Sequence, residues 1–458
     1  MLVLISDVHL TDGSSGGTIS SDAFRILRKQ LCNLSYAASF RRDGTYSPVE
    51  ELDLVLLGDI LDVIRSSEWL ARGNLVRPWS DVNDPAFSQK VEAITRGILD
   101  HNADSLAVLR SISQGQKVTV PATVGPDATP GTEGEQRSEG RVPVRVHIHY
   151  QVGNHDWFYH LPGSDFNRIR AAIVNAMGLA NDSNAPFPHE PQESSALMSA
   201  YEDHRVFARH GDQYDPFNFE RDRNASSLGD AVVVELLNSF PAEVEVRMGS
   251  DLPKACTAGL RELDNVRPLP LIPVWVDGLL RHTCPDSEQV RAVKKIWDDT
   301  VDRFLQNPFV RDRNSPWNPF DNVDKLEYAL KFSRGVSLQA LSRLATWVVH
   351  RSQGVEGPFF QYALRERAYR NRTATHIVYG HTHHHEIVPL DRSYSDCGPL
   401  KQLYVNTGTW RRVYELAQGN PAEQEFIGYN VMTYVTFFKG DERHGRSFET
   451  WSGALACD

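Results

Sequence analysis

Residues 2–9 of the chain read LVLISDVH, a short apolar run that ends in an aspartate and a histidine. Residues 2–6 are almost continuously apolar, which is typical of a strand that is buried on both faces. Open α/β sheets place their functional side chains at the carboxyl ends of such strands, where Asp7 and His9 stand in this chain. The run therefore predicts a buried strand that carries two polar residues into a site.

Four more blocks of the same kind follow along the chain. They read GDILD at residues 58–62, GNHD at 153–156, HGD at 210–212 and GHTH at 380–383. Apolar or alternating runs precede them, so strands would again deliver the polar residues. Each block alone is weak evidence because it is only a few letters long. Their joint occurrence in this order strongly predicts one shared site.

The residue types of the blocks suit a pair of divalent metal ions. Two such ions about 3.5–4 Å apart need neutral imidazoles, several oxygen donors and a bridging carboxylate. An asparagine among the donors argues against a closed structural zinc site, which favours cysteine and histidine. Asp59 is able to bridge, and open positions would remain for water and phosphate oxygens. We predict seven metal ligands: Asp7, His9, Asp59, Asn154, His210, His381 and His383.

The ordered blocks resemble those of the calcineurin-like metallophosphoesterases, from Asp7 to about Gly408 with two long interruptions. The resemblance implies an α/β fold, a layered αββα sandwich, and two metal ions. Manganese is the expected ion, and the mixed donors also suit iron or zinc. The implied ligand sets are Asp7, His9, Asp59 and His383 for one ion, and Asp59, Asn154, His210 and His381 for the other.

The same resemblance implies two catalytic residues, His155 as the general acid and Asp62 as the carboxylate that orients it. The implied reaction cleaves a phosphodiester or pyrophosphate by a hydroxide that the metals activate, while His155 protonates the leaving oxygen. The layout is nearest to the enzymes that cleave UDP-2,3-diacylglucosamine, which have a helical lid between the fourth and fifth blocks. Those enzymes usually have arginine where this chain has His155, so the substrate stays open.

Two segments interrupt the predicted α/β core, which comprises residues 1–215 and 376–458. Residues 216–375 predict a helical insertion and candidate lid. Its helical patterns cover residues 288–306, 321–332 and 336–351. Residues 113–141 are rich in Pro, Gly, Thr, Glu and Ser, which predicts an exposed loop.

Four residues are weaker candidates for substrate contacts: Arg65, Arg370, Arg372 and His385. Arg65 lies three residues after Asp62, and the planar guanidinium of arginine suits phosphate oxygens. The other two arginines belong to a basic run before the fifth block, and His385 lies two residues after that block. The alternative for each of the four is an ordinary solvated side chain.

Composition narrows the class of partner. The net charge of −11 argues against a surface built broadly for nucleic acid, although a local basic groove is compatible with it. The five cysteines are scattered without a C-x-x-C pair, so neither a disulfide framework nor a zinc ribbon is expected. A cleaved signal peptide would remove Asp7, and no apolar run is long enough to span a bilayer. We therefore expect a cytoplasmic protein, whose oligomeric state the composition does not specify.

The sequence thus predicts a metal-dependent phosphoesterase with a phosphate-bearing substrate of small or medium size. A nuclease is an alternative that requires a basic groove, and the acidic balance counts against it. A phosphomonoesterase or protein phosphatase also stays open, although Val63-Ile64 stands where the main protein phosphatases have Arg-Gly. A non-catalytic metal-binding interaction module is the last alternative, and the complete ligand set counts against it.

Overall fold

A computed structural model describes residues 1–71, 73, 75–124, 140–267, 271–284, 286–313, 330, 333, 359–395, 398–419 and 423–456. Over these residues the chain is mixed α/β, which confirms the predicted class. The strands are β1 (Leu2–Ile5), β2 (Glu51–Leu57), β3 (Thr119–Pro121), β4 (Arg141–Pro143), β5 (Arg145–Gln151), β6 (Val206–Ala208), β7 (Val266–Arg267), β8 (His376–Tyr379), β9 (His385–Ser395), β10 (Gly398–Thr407), β11 (Trp410–Leu416), β12 (Phe426–Phe437) and β13 (Phe448–Ala456).

The helices of the described residues flank these strands and fill the insertion. They are α1 (Ser21–Ala38), α2 (Pro85–His101), α3 (Ala103–Ser113), α4 (Ser164–Met177), α5 (Ser195–Asp203), α6 (Leu228–Val232), α7 (Ser239–Met248), α8 (Lys254–Arg261), α9 (Ile272–Thr283), α10 (Ser287–Gln306), α11 (Pro308–Arg311), α12 (Phe360–Ala363), α13 (Arg367–Arg370) and α14 (Glu442–Gly445). A π-helical segment, Val233–Asn238, joins α6 to α7.

The larger sheet has the strand order β5-β2-β1-β12-β11-β7, with β13 paired to β12. Strands β1, β2 and β5 are parallel, and the register places Leu4 beside Val55 and Val55 beside His149. Because parallel strands end at the same edge of a sheet, the loops after β1, β2 and β5 lie next to one another. These loops carry the first three polar blocks.

The second sheet has the order β6-β8-β10-β9, in which β6, β8 and β10 are parallel and β9 is antiparallel to β10. The two sheets pack face to face. Leu2 and Leu4 of β1 join one apolar cluster with Val378 of β8 and Val405 of β10. The period of two along a strand directs the intervening Val3 and Ile5 of β1 to the opposite face of the larger sheet.

That opposite face is covered by helices α1 to α4. Phe24, Leu27 and Leu31 recur at helical spacing along α1, and all three side chains are buried in the same cluster as Val3 and Ile5. The outer face of the second sheet packs against the short helices near α12 and α13. The described core therefore has a layer of helices, two sheets and a second, thinner helical layer.

The insertion has its own apolar cluster, formed by residues of α7, α8, α9 and α10. It is not wholly helical as predicted, because β7 lies within it and pairs in parallel with β11 of the larger sheet. The helical pattern at 288–306 corresponds to α10. Apart from Leu330, the pattern at 321–332 lies outside the described residues, as does all of 336–351.

Two short strands lie within the region that the sequence predicts as an exposed loop. β3 and β4 pair in antiparallel fashion and bring Val120 beside Val142. Residues 113–141 are therefore not one continuous loop, and residues 125–139 lie outside the described part. Val120 is fully buried, so an apolar contact holds a segment whose composition resembles that of a solvated loop.

Candidate metal centre

The structure brings all seven predicted ligands together beyond the carboxyl ends of strands β1, β2 and β5 of the larger sheet and of β6 and β8 of the second sheet. The first group gathers around His383, whose Nε2 lies 3.0 Å from Nε2 of His9 and 3.3 Å from Oδ1 of Asp7. Nε2 of His9 lies 3.9 Å from Oδ2 of Asp59. Ligands thus converge from the loops after β1, β2 and β8.

The second group lies on the other side of Asp59. Oδ2 of Asp59 is 3.2 Å from Nε2 of His210, which is 3.2 Å from Oδ1 of Asn154. The same asparagine oxygen lies 3.0 Å from Nδ1 of His381. Asp59 therefore stands between the two groups, where a bridging carboxylate is needed.

The donors fit divalent metal ions. Two imidazole nitrogens 3.0 Å apart, those of His9 and His383, are spaced as neighbouring ligands of one ion. Oδ1 of Asp7 is buried and has no hydrogen-bond partner, although a buried carboxylate oxygen without a partner is costly. The groups Asp7, His9 and His383, and Asp59, His210 and His381, each place their ligand atoms within 4.8 Å of one another.

Burial and neighbouring charges shift the pKa values of the predicted histidine ligands in ways that suit the binding of a cation. Burial lowers the pKa of His9 and of His383 below the usual value, which keeps both imidazoles neutral and able to donate a lone pair. Burial also lowers the pKa of His210, but Asp59 and Asp7 outweigh it and raise that pKa to about 10. The two carboxylates thus favour positive charge at this point, which a bound metal ion would supply.

The backbone at the ligands is strained. Five of the seven have positive φ, although none is glycine: Asp7 at 54°, His9 at 49°, Asp59 at 55°, His381 at 69° and His383 at 59°. A non-glycine residue in this region costs about 1–3 kcal/mol and persists where surrounding structure holds it. The backbone N–H of His381 donates to Oδ2 of Asp7 at 3.0 Å, and that of Asp7 donates to the carbonyl of Gly58 at 3.1 Å.

Two glycines of the blocks, Gly153 and Gly380, leave space for the side chains of the predicted ligands. A Cβ added to Gly153 would collide with the Asp59 carboxylate and lie 2.7 Å from the His210 ring. A Cβ on Gly380 would lie 2.7 Å from Oδ2 of Asp7. The missing side chains therefore let the ligands approach the backbone closely.

His155 lies at the rim of the site, and its side chain is 15% exposed. Its Nδ1 lies 2.8 Å from Oδ1 of Asp62, as the predicted acid and orienting pair requires. Burial lowers the pKa of His155, but the carboxylates of Asp62 and Asp59 outweigh this effect and raise it to about 10. Asp62 is also 2.8 Å from Nδ1 of His9 through its other oxygen, so one carboxylate holds two histidines.

Residues around the start of the insertion support the second group, and the sequence analysis missed them. Oδ2 of Asp215 lies 3.0 Å from Nε2 of His381, so the carboxylate orients the ring whose Nδ1 faces Asn154. Asn218 donates to the same oxygen at 2.8 Å and accepts from Nδ2 of Asn154 at 3.3 Å. The one available signal was proximity, because Asp215 follows His210 by five residues.

A second set missed from the sequence surrounds Asp264. Arg267 places Nη2 3.0 Å from Nδ1 of His383, and Arg411 and Arg65 both form ion pairs with Asp264. Burial lowers the pKa of Arg267 to about 9, and Arg411 adds to the effect. No motif marks these residues, and no local pattern links Arg267 to a histidine 116 residues away.

The four weaker candidates lie in different places. Arg65 is buried, pairs with Asp264 at 3.1 Å and donates to the carbonyl of Ser15. Arg370 and Arg372 are exposed and precede β8, whereas the ligands follow that strand, so the structure does not bring these arginines to the site. Nδ1 of His385 lies 2.7 Å from the carbonyl oxygen of Asn406, beside the fifth block. Their role in substrate binding stays a prediction.

No protein-family model matches the chain, and no curated protein matches it. Across the described ranges, none of the helices combines the length and the apolar character needed to cross a bilayer.

Proposed function

We propose that this protein is a dinuclear metal-dependent phosphohydrolase of the calcineurin-like kind, which cleaves a phosphodiester or pyrophosphate bond. One observation carries the proposal: two ligand groups meet at Asp59, and His155 stands at their rim, held by Asp62. The two stacked sheets with helices outside them support the αββα sandwich that the resemblance implies.

Two divalent ions, for which we propose manganese, would supply Lewis-acid activation of the phosphoryl group and of water. Asp7, His9, Asp59 and His383 would hold one ion. Asp59, Asn154, His210 and His381 would hold the other.

The side chains of this chain account for binding and proton transfer. The bond from Nδ1 of His155 to Asp62 leaves Nε2 as the nitrogen that gives a proton to the leaving oxygen. The partial exposure of the ring lets a substrate oxygen reach it. Asp62 fixes the ring orientation, and such an acid typically contributes about 10²–10⁴-fold to the rate. A leaving group that is a weak base needs little of this help, whereas an alkoxide needs it most.

Hydrolysis of paired chromogenic esters tests the proposal. Metal-stripped protein is resupplied with manganese and given a nitrophenyl phosphate monoester or a bis-nitrophenyl diester. The wild type should cleave the diester, and Asp59→Asn should lose both turnover and bound ion because the shared carboxylate is gone. Asp22→Asn, on the exposed surface of α1, is the matched control and should behave as the wild type.

The outcomes separate the alternatives. Preferential cleavage of the monoester would point to a phosphomonoesterase instead. Binding of two ions without turnover of either ester would favour a non-catalytic module. Failure to bind a divalent ion would refute the proposal altogether.

A further inference from the structure

Three arginines crowd around one aspartate at the edge of the metal centre. Arg65 and Arg411 share the carboxylate of Asp264, and Arg267 donates through Nη1 to the backbone carbonyl of Asp264 at 2.6 Å. In the part of the chain that the structure describes, Arg267 forms no ion pair with a carboxylate. Within the cluster three guanidinium groups thus face one carboxylate, and the next carboxylate that acts on Arg267 is Asp7, one of the predicted metal ligands.

Uncompensated charge in a partly buried place is unfavourable unless an anion arrives to balance it. Asp264 is already engaged by two arginines, and Asn265 accepts from Nε of Arg411 at 2.9 Å. The balancing charge for Arg267 is therefore not on these neighbours. An anion on the substrate would supply it, and a guanidinium suits the oxygens of a phosphate.

The position of Arg267 indicates which part of a substrate would carry the anion that it binds. Its Nη2 contacts Nδ1 of His383, whereas Nε2 on the opposite side of that ring faces Asp7 and His9. Arg267 thus lies beyond the ligand atoms, on the outer side of the imidazole. A phosphate under attack belongs between the two ligand groups, so an anion held by Arg267 belongs to the next part of the substrate.

The contact between Nη2 of Arg267 and Nδ1 of His383 depends on which ring nitrogen of His383 carries the proton. A neutral imidazole has one acceptor nitrogen, and the nitrogen that is not the acceptor carries the proton. If Nε2 of His383 donates its lone pair to an ion, Nδ1 carries the proton and no longer accepts from Arg267. Nη2 then needs another acceptor, which a substrate oxygen provides.

We propose that Arg267 binds a second phosphate of the substrate, next to the one that is cleaved, so that the preferred substrate is a pyrophosphate rather than a simple phosphodiester. This inference rests on the proposed function. Arg411 and Arg65 reinforce the positive field, and Asp264 holds them in place. A cavity of about 240 Å³ adjoins Arg65 and Asp264 of this cluster, and its lining also includes Ser14, Ser15, Asn238 and Arg261.

The arginine comes from the insertion, which explains why the core blocks do not encode it. β7 pairs with β11 through Val266 beside Tyr414 and Arg267 beside Glu415. This pairing anchors the insertion in the larger sheet next to the ligands. The insertion would therefore select the substrate by supplying a charged group as well as a cover.

The test compares Arg267→Gln and Arg267→Lys with Arg291→Gln, an exposed arginine of the same insertion. The substrates are a nucleoside diphosphate sugar with two phosphates and the bis-nitrophenyl diester with one. Arg267→Gln should lower kcat/KM for the pyrophosphate by about 10- to 100-fold and for the diester by less than about threefold. Arg267→Lys should recover part of the loss, and Arg291→Gln should match the wild type.

Two binding measurements make the outcome independent of turnover. Manganese titration should show no weaker binding in Arg267→Gln, since the arginine is not a ligand. Calorimetry with the manganese-loaded protein should show that the wild type binds inorganic pyrophosphate more tightly than phosphate and that Arg267→Gln loses this preference.

Equal losses on both substrates together with weaker manganese binding would overturn the inference, because they would mean that Arg267 merely supports His383. An unchanged preference for pyrophosphate would overturn it as well. If the wild type cleaves neither substrate, the proposed function fails, while the pyrophosphate preference in calorimetry still decides the role of Arg267.

Discussion

Asp62→Asn is the most informative single change, because one carboxylate contacts both His9, a proposed metal ligand, and His155, the proposed general acid. Oδ2 of Asp62 lies 2.8 Å from Nδ1 of His9. Oδ1 lies 2.8 Å from Nδ1 of His155 and accepts from the backbone N–H of Arg65 at 3.0 Å. Asparagine keeps the size of the side chain but replaces one of these oxygens with a donor.

The geometry predicts which partner is lost. Oδ1 has two donors and Oδ2 has one, so the amide nitrogen that the substitution introduces would make fewer clashes in the place of Oδ2. The variant side chain should therefore keep its bonds to His155 and Arg65 and leave His9 without an acceptor. A lost hydrogen bond to a charged group costs about 1.5–3 kcal/mol, which is about 10- to 150-fold in an equilibrium constant.

We expect the loss to fall on metal affinity first. Removing the partner of a metal-binding histidine typically weakens the metal by about 10- to 100-fold, and Asp62→Asn should show this in a manganese titration. His155→Ala should bind manganese as the wild type does. It should slow cleavage of esters with poor leaving groups by about 10²–10⁴-fold and good ones much less.

The two variants should thus separate binding from acid catalysis. Saturating manganese should restore the metal content of Asp62→Asn but only part of its activity, because the carboxylate that raises the pKa of His155 is gone, and it should restore none of the activity of His155→Ala. If Asp62→Asn binds manganese like the wild type but shows the leaving-group dependence of His155→Ala, the prediction that the amide nitrogen takes the place of Oδ2 is wrong. If His155→Ala slows both classes of ester equally, His155 is not the acid.

Two further predictions concern stability and packing. Burial, with a smaller effect from Arg205, lowers the pKa of His376 from 6.5 to about 4. The unfolded state therefore takes up a proton more readily than the folded state, so the free energy of unfolding should be unaffected by this group above pH 6.5 and should fall by up to about 3 kcal/mol as the pH falls towards 4. Urea unfolding at a series of pH values checks this, and His376→Asn should flatten the dependence. Gly153→Ala should abolish manganese binding, because the added methyl group meets the Asp59 carboxylate. Gly419→Ala, where a Cβ meets nothing within 4 Å, should bind manganese normally.

Much of the core follows from local pattern. The apolar run of β1 is buried on both faces because the second sheet packs against one face and helices α1 to α4 cover the other, while β2 and β12 flank it within the larger sheet. Apolar and polar residues alternate along 144–152, just before the third block, and this stretch corresponds to β5, in which His149 lies buried against Asp53. The prediction of one exposed loop at 113–141 was wrong because it rested on composition alone, whereas β3 and β4 are held by pairing with each other.

The residues of the candidate site also fall into two groups, those that the sequence predicted and those that only the structure revealed. All seven predicted ligands lie together, since each follows its strand within a few residues and the parallel strands end at one edge. The supporting residues Asp215, Asn218, Asp264 and Arg267 come from the insertion or its border, where no strand-and-block pattern marks them.

The sequence by itself determined the strands that precede the polar blocks and the polar residues at their ends, because these depend on neighbours along the chain. Only the tertiary structure decided that Asp59 stands between two ligand groups and that Asp62 serves both His9 and His155. It also decided that Arg267 reaches His383. Such contacts depend on how β7 docks against β11 and how the two sheets stack, and side-chain packing between distant segments leaves no period in the sequence.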